Sequence, residues 1–161
     1  MAIDAIRTMQ AKDVIAAKMA SAYITVDGER YLLFKAKNLT AKLEKDKQEV
    51  AILGRMSKGH KTVSVNGTGS MSIYKNTAIF DQMLLKLKNT GEDTYFDMQI
   101  SNSDPTSAAG RQTTILKDCN IDSAVIANFD ADGEWLEQEV DFTFEDVEQP
   151  EQFAVLDGMR G

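Results

Sequence analysis

The chain has 161 residues, of which 43% are hydrophobic and 27% are charged, a content that supports one folded domain with a substantial core and argues against a disordered chain. With 25 acidic and 18 basic residues, its net charge of −7 argues against a surface that binds nucleic acid nonspecifically through clustered Lys and Arg. The single cysteine, Cys119, excludes a disulfide within the chain and indicates a reducing compartment.

The charges are distributed unevenly along the chain. Residues 130–157 contain eleven acidic residues and no basic one, whereas residues 35–61 contain eight basic residues and three acidic ones. This asymmetry suits a chain whose copies meet head to tail, because complementary patches fix the register between neighbours. Two solvated faces of one subunit are the simpler explanation from charge alone.

The amino-terminal residues 1–20 mix Ala, Lys and Asp with isolated apolar side chains, which predicts an arm that is either a short helix or extended. No apolar run reaches the roughly 18 residues of a membrane span, and no signal peptide pattern is present. We therefore expect a cytoplasmic protein without a membrane anchor. The predicted organisation is an arm at residues 1–20, a β domain at residues 21–150 and a tail at residues 151–161.

Several strands are predicted before residue 75. Residues 23–26 form a short strand, and Asp27-Gly28 is a strong two-residue hairpin turn. Residues 31–45 form a long strand whose apolar parity shifts between Phe34 and Leu39, which indicates a bulge. After the apolar run 50–53, a loop continues to Thr62, and residues 63–73 alternate as a half-buried strand that contains Gly67 and Gly69.

One segment of the sequence has clear helical spacing. Apolar residues at i, i+3, i+4 and i+7 predict an amphipathic helix that carries Phe80, Met83, Leu84 and Leu87. Asn76 or Thr77 is the expected amino-terminal cap, and Gly91 is the expected stop.

More strands follow the predicted helix. Residues 96–100 alternate, residues 101–110 form a mobile loop, and residues 111–129 form a bent strand or a pair of strands. After a turn at residues 130–133, residues 136–145 alternate between apolar side chains and a carboxylate stripe. The predicted fold is mainly β, an antiparallel sandwich or barrel with one amphipathic α-helix packed on its side.

Residues able to support catalysis are scarce. His60 is the only histidine, and we interpret it as a loop or interface residue; Cys119 falls on the apolar parity of a strand and is expected to be buried and inert. The acidic run Asp130–Glu134 lacks the helix-loop-helix setting of a calcium site and is read as a solvated turn. The sequence therefore predicts no enzyme, no metal site and no cofactor.

Four segments together resemble a known family. Their sequences are EVAILGRM at residues 49–56, GHKT at 59–62, NGTGSMSIYK at 66–75 and LEQEVDFTFED at 136–146. They resemble the tail tube proteins of PBSX-like contractile phages and R-type bacteriocins. The resemblance implies a homo-oligomer of hexameric rings stacked into a tube inside a tail sheath and on a baseplate. The particle is then assembled in the host bacterial cytoplasm, and DNA passes through the tube without specific binding if the particle is a true phage.

The resemblance also suggests which residues work in assembly. The loop that reaches an adjacent ring is expected to include Lys45, Arg55, Met56, Lys58, His60 and Lys61. An acidic lumen is expected to be lined by Glu137, Glu139 and Asp141, with Asp118 and Asp122 as the second candidates. A secretion-system tube of the same architecture and a monomeric ligand-binding β-barrel are the alternatives.

Overall fold

A computed structural model of the chain describes residues 9–32, 36–156 and 159. The described residues form eight mostly antiparallel strands and one α-helix, which confirms the predicted fold class. The elements in chain order are β1 Ala20–Val26, β2 Glu29–Leu32, β3 Ala36–Val50, β4 Gly59–Tyr74, α1 Ile79–Thr90, β5 Phe96–Ser103, β6 Arg111–Ile121, β7 Glu137–Phe144 and β8 Asp146–Glu151.

The chain divides into two compact units. The first contains the described parts of residues 1–34, 97–116 and 147–161, and its strand order is β2-β1-β5-β6, with β8 also paired to β6. The second contains the described parts of residues 35–96 and 117–146, and its strand order is β6-β7-β4-β3. Strand β6 therefore contributes residues to both units.

In the first unit, the predicted turn at Asp27-Gly28 is confirmed. Both residues have positive φ, 51° and 82°, and the adjacent residues Val26 and Glu29 are paired across the hairpin. The core of this unit contains Ile24, Met98 and Leu116, all of which are fully buried.

Residues 104–110 of the first unit form a loop that is held by hydrogen bonds, whereas the sequence predicts a mobile loop. Strand β5 continues to Ser103, so the predicted loop at 101–110 begins three residues too early. The carboxylate of Asp104 is buried and accepts a hydrogen bond from the amide of Ala16 at 3.0 Å. The hydroxyl of Ser107 donates to the carbonyl of Asp13 at 2.8 Å, so this loop is attached to the segment that precedes β1.

The second unit is built on the long hairpin of β3 and β4. The register runs from Ala36 opposite Ile73 to Val50 opposite Gly59, with irregularities after Ala36 and after Asp46. The bulge after Ala36 agrees with the predicted shift in parity, although residues 33–35 lie outside the described part of the chain. The predicted loop ends too late, because β4 already pairs with β3 from Gly59 onward, and the residues between the two strands are 51–58.

Strand β7 supplies the core face of the second unit. Its side chains alternate, so that Val140, Phe142 and Phe144 are buried while Glu139 and Asp141 are exposed. This alternation confirms the predicted strand with its carboxylate stripe.

Helix α1 packs with Phe80 and Met83 buried, as its periodicity predicts. The ring centroids of Phe80 and Phe96 are 6.3 Å apart. Gly91 ends the helix in the left-handed conformation at φ 78°, which confirms the predicted stop. The predicted amino-terminal cap is wrong, because the cap residue is Ala78 and not Asn76 or Thr77.

Two features after residue 110 differ from what the sequence predicts. Strand β6 ends at Ile121, and residues 122–136 form no strand, because the amide of Val125 donates to the side chain of Gln138 and not to a strand partner. Strand β8 was not predicted, since its mostly exposed sequence DVEQPE lacks an alternating pattern.

Candidate functional surfaces

The β3–β4 hairpin projects beyond the rest of the second unit. Strand β7 pairs with β4 only from Gly67 to Tyr74, so Gly59–Asn66 pairs with β3 alone. These eight residues span about 26 Å at about 3.3 Å per residue. Side chains from Lys42 to Asn66 are exposed on both faces, apart from the partly covered Gly59.

The projecting hairpin carries all six residues predicted for the contact loop. Arg55, Met56 and Lys58 lie in its tip, residues 51–58, while His60 is paired with Glu49 and Lys45 is paired with Val65. Lys61 follows on β4 and is exposed. Lys58 also forms an exposed ion pair with Glu49 at 3.4 Å. The predicted contact loop is therefore a two-stranded projection with a short tip.

Apolar side chains on this hairpin are more exposed than is usual for a soluble surface. Leu53 is 103% exposed and Met56 is 104% exposed, and Leu43, Val63 and Val65 are each more than half exposed. Met56 was predicted for this surface and Leu53 was not, although the apolar run Ile52-Leu53 before Gly54 indicated an exposed apolar turn. Exposed apolar side chains clustered in this way are typical of a surface that binds another molecule.

A polar surface covers the face of β4 and β7 opposite the core. Glu139 is paired with Ser72 and Asp141 with Ser70, so carboxylates and hydroxyls alternate across the two strands. An open depression of about 450 Å³ lies on this face, and it is lined by Thr40, Lys42, Thr68, Gly69, Ser70, Asp122, Asp141 and Phe142. Asp122 and Asp141, which were predicted as separate candidates, therefore line one depression. Asp118 lies within β6, where it is exposed and has a positive φ of 54°, and it is not among the residues that line the depression.

Glu137 differs from the other two carboxylates of the stripe because basic and aromatic groups bind it. Its Oε1 accepts from Lys37 Nζ at 2.9 Å and from the indole N–H of Trp135. The ammonium of Lys37, with help from the indole, lowers the pKa of Glu137, and Glu137 in turn raises the pKa of Lys37. The charge of Glu137 is thus balanced locally, which leaves Glu139, Asp141 and Asp122 as the acidic groups of this face.

Residues 129–135, termed here the acidic aromatic loop, lie beside that cluster. The amide of Asp132 donates to Asp130 Oδ1 at 3.0 Å, which confirms the predicted turn. Phe129 is 89% exposed and Trp135 is 56% exposed. The edge of the Trp135 ring meets Tyr74 with 6.2 Å between centroids, so the loop lies at the Tyr74 end of β4.

Cys119 and His60 are the two residues that the sequence offered for catalysis. Cys119 is fully buried, as predicted, and His60 is exposed on β4. No helix in the described ranges is long and apolar enough to cross a membrane.

Comparison with known proteins identifies the family of the chain. A family model described as phage tail tube protein matches residues 7–151. The chain belongs to this family. It is also 40% identical over 146 residues to the phage-like element PBSX protein XkdM of Bacillus subtilis strain 168, with 91% of this chain and 97% of that protein covered. The predicted resemblance is thereby confirmed.

Solved structures of tail-like particles have the same fold. The anti-feeding prophage tube-terminating cap matches with a TM-score of 0.65 at 14% identity, over 96% of this chain and 100% of the other. A chain of the sheath–tube complex of the extracellular contractile injection system PVC, in its extended state, matches with a TM-score of 0.59 at 14% identity, over 83% and 88% of the two chains. At this identity the likeness concerns the fold.

Proposed function

We propose that the subunit forms hexameric rings that stack into the inner tube of a contractile phage tail or a tail-like bacteriocin. The observation that carries this proposal is the projecting hairpin of a tail tube family member, with Leu53 and Met56 fully exposed at its tip. A subunit that stays alone in water would expose these groups permanently. A subunit that inserts them into the next ring removes them from water, which stabilises the stack.

Strand pairing between neighbours is the proposed way to close the ring. Within the described residues β3 pairs with β4 alone, so one edge of its fifteen residues has no ladder partner. Exposed edges of this length promote uncontrolled association unless another chain covers them. Pairing with the next subunit of the ring satisfies the edge and joins the sheets around the tube.

The polar face of β4 and β7 is the proposed wall of an acidic lumen. Glu139, Asp141 and Asp122 supply its negative charge, and the hydroxyls between them keep it hydrated. Such a wall repels DNA phosphates, so that a genome slides through without binding, and it admits small cations in a particle that carries no DNA.

The partners and location follow from this role. The structural neighbours come from a baseplate, a cap and a sheath–tube complex, and we infer a sheath around this tube and a baseplate beneath it. Assembly takes place in the host bacterial cytoplasm, and the tube then forms part of the virion or tail-like particle. The role is structural and needs no catalysis.

Residues 1–20 are proposed as an arm and residues 151–161 as a tail that flank the tube domain at 21–150; residues 1–8, 157, 158, 160 and 161 lie outside the described part of the chain. The segment before β1 is held at Asp13 by the amide of Ala108, which donates to its Oδ1 at 3.0 Å. On the carboxyl side, the amide of Ala154 donates to the carbonyl of Ala109 at 2.8 Å. Both flanking segments therefore contact the loop after β5.

Negative-stain electron microscopy of the purified protein across a concentration series, beside sedimentation velocity on the same samples, tests the proposal. Rings or hollow tubes with sixfold averages are the expected result. A monomer at every concentration, together with a bound ligand in an enclosed cavity, favours a ligand-binding barrel instead.

A further inference from the structure

The two ends of β4 carry surfaces of opposite charge. Gly59 begins this strand next to the hairpin tip, and Tyr74 ends it in contact with Trp135. Sixteen residues separate the tip from the acidic aromatic loop by about 50 Å at about 3.3 Å per residue. Both surfaces belong to the second unit, so one strand fixes the spacing between them.

The tip surface is basic and apolar. Residues 51–61 contain Arg55, Lys58 and Lys61 and no acidic residue. Leu53 and Met56 add two fully exposed apolar side chains. A surface with this composition binds a partner that combines negative charge with an apolar patch.

The acidic aromatic loop has the complementary composition. Residues 122–136 contain four acidic residues, three of them within the loop at Asp130, Asp132 and Glu134, and no basic residue. None of those three forms an ion pair in the part of the chain that the structure describes. Phe129 and Trp135 flank them with exposed rings.

We infer, on the basis of the proposed stacking, that the hairpin tip of one subunit docks on the acidic aromatic loop of a subunit in the adjacent ring. Arg55, Lys58 and Lys61 then face Asp130, Asp132 and Glu134, while Leu53 and Met56 contact the rings of Phe129 and Trp135. The two surfaces lie at opposite ends of one strand, so the contact is heterologous and repeats along the tube axis without closing. Complementary charge fixes its register, and the buried side chains stabilise it.

The carboxyl-terminal acids are the competing docking site, and they fit less well. Glu151 is already held by Arg111, whose Nε and guanidinium NH2 donate to it at 2.7 Å and 3.2 Å, a closer contact than the exposed 3.4 Å pair of Lys58 with Glu49. No exposed aromatic ring accompanies residues 145–151. The loop at 129–135 offers both charge and aromatic surface.

Cysteine crosslinking distinguishes these docking sites. The full chain is prepared with M56C and D132C together, and the comparison variant carries M56C and E145C; the native Cys119 is fully buried and stays in both. A disulfide within one chain is excluded in the first variant by the length of β4, so any bond joins two copies. Each copy contacts one neighbour above and one below, so oxidation of assembled protein should produce a ladder longer than a dimer on a non-reducing gel.

Each outcome separates the docking site from the proposed tube. A ladder from M56C/D132C and none from M56C/E145C is expected. A ladder from M56C/E145C alone, or no ladder from either variant in samples whose tubes are visible by electron microscopy, overturns the inference and leaves the stacked tube standing. Absence of both rings and ladders contradicts the tube itself.

Charge exchange provides an independent readout of the same contact. R55E/K58E/K61E and D130K/D132K/E134K should each raise the concentration needed for assembly by about tenfold or more, because three attractive pairs become repulsive. The combined six-residue variant should restore assembly toward that of the native protein. Restoration of R55E/K58E/K61E by E145K/E148K/E151K instead, without restoration by the loop variant, overturns the inference.

Discussion

The ring of Phe144 on β7 lies directly over Gly67 on β4. The two residues are paired across the strands, and a Cβ at position 67 would lie 2.5 Å from Cε2 of the ring. The same relationship recurs two residues along, where a Cβ at Gly69 would lie 2.4 Å from Cζ of Phe142 and 2.8 Å from the carbonyl oxygen of Thr40. The two glycines thus make room for the aromatic core face of β7.

Gly67→Ala should destabilise the protein despite the better strand propensity of Ala. The added methyl displaces a buried ring, which costs about 1–3 kcal/mol as overpacking. Gly69→Ala should cost more, since a backbone oxygen at 2.8 Å cannot move as easily as a ring. Urea unfolding of each variant followed by tryptophan fluorescence measures both values.

Asn66→Ala is the control for this pair, because Asn66 is exposed and adjacent on the same strand. It should change the free energy of unfolding by no more than about 0.5 kcal/mol. Equal stability of Gly67→Ala and the control would show that the ring does not rest on the glycine.

Lys75→Met should destabilise the second unit strongly. Lys75 Nζ lies 2.5 Å from Asp81 Oδ2, and the two side chains are only 12% and 13% exposed. Asp81 Oδ1 is buried without a hydrogen-bond partner among the described residues, so Lys75 is the group that offsets its charge. Removal of Lys75 leaves a largely buried carboxylate unpaired, at a cost of about 3–5 kcal/mol in the free energy of unfolding.

The double variant Lys75→Met/Asp81→Leu is the informative comparison. It removes both charges and should recover most of the loss, because apolar groups of similar volume replace a desolvated pair. Lys86→Met serves as the control, since its ion pair with Glu92 is exposed. A double variant no more stable than Lys75→Met alone would contradict this account of the pair.

Elements with one buried face were predictable from the sequence. A buried face leaves a periodic pattern of apolar residues in the sequence. The period is two for Phe142 and Phe144 on β7, and it is helical for Phe80 and Met83 on α1. The turn at Asp27-Gly28 was predictable for a local reason, since both residues have positive φ.

Elements exposed on both faces were not predictable in this way. The outer part of the β3–β4 hairpin and strand β8 bury no stripe, so nothing in their sequence distinguishes strand from loop. In contrast, Val125, Ala127 and Phe129 alternate as in a strand but do not form one. In this segment hydrogen bonds between side chains and backbone replace the pairing of two strands.

The candidate surfaces were predictable only in part. The basic residues of the hairpin were identified because charge is visible in the sequence. The pairing of Glu137 with Lys37 was not, because one hundred residues separate them and only the register of three strands brings them together.

Glu137→Gln should reduce the loss of stability on acidification. Because Lys37 and Trp135 lower the pKa of Glu137 in the folded protein, its contribution is fully present above the unfolded-state pKa of about 4.3. That contribution is lost as pH falls through the lower, folded-state pKa. Unfolding experiments between about pH 5 and pH 3 should therefore give a shallower pH dependence for the variant.

Glu139→Gln, two residues along the same strand, is the matched control for that experiment. Its side chain is exposed and forms no ion pair within the described ranges. Identical pH dependence for Glu137→Gln and the native protein would mean that Lys37 does not hold Glu137 in solution.

The proposed lumen predicts how accessible Glu139 is before and after assembly. In E139C, the new thiol should react with both a small thiol reagent and a polymer-linked maleimide while the subunit is dissociated, because residue 139 is exposed. Assembly should leave the small reagent effective and slow the polymer-linked one, which enters a tube only through its ends.

Q82C is the control for this experiment, because residue 82 lies on the exposed side of α1. M56C is not suitable, since its site is proposed to be covered by stacking. Labelling of E139C by the polymer at the same rate in tubes and in dissociated subunits, measured by mass spectrometry, would place residue 139 on an outer surface and move the acidic lumen to another face of the sheet.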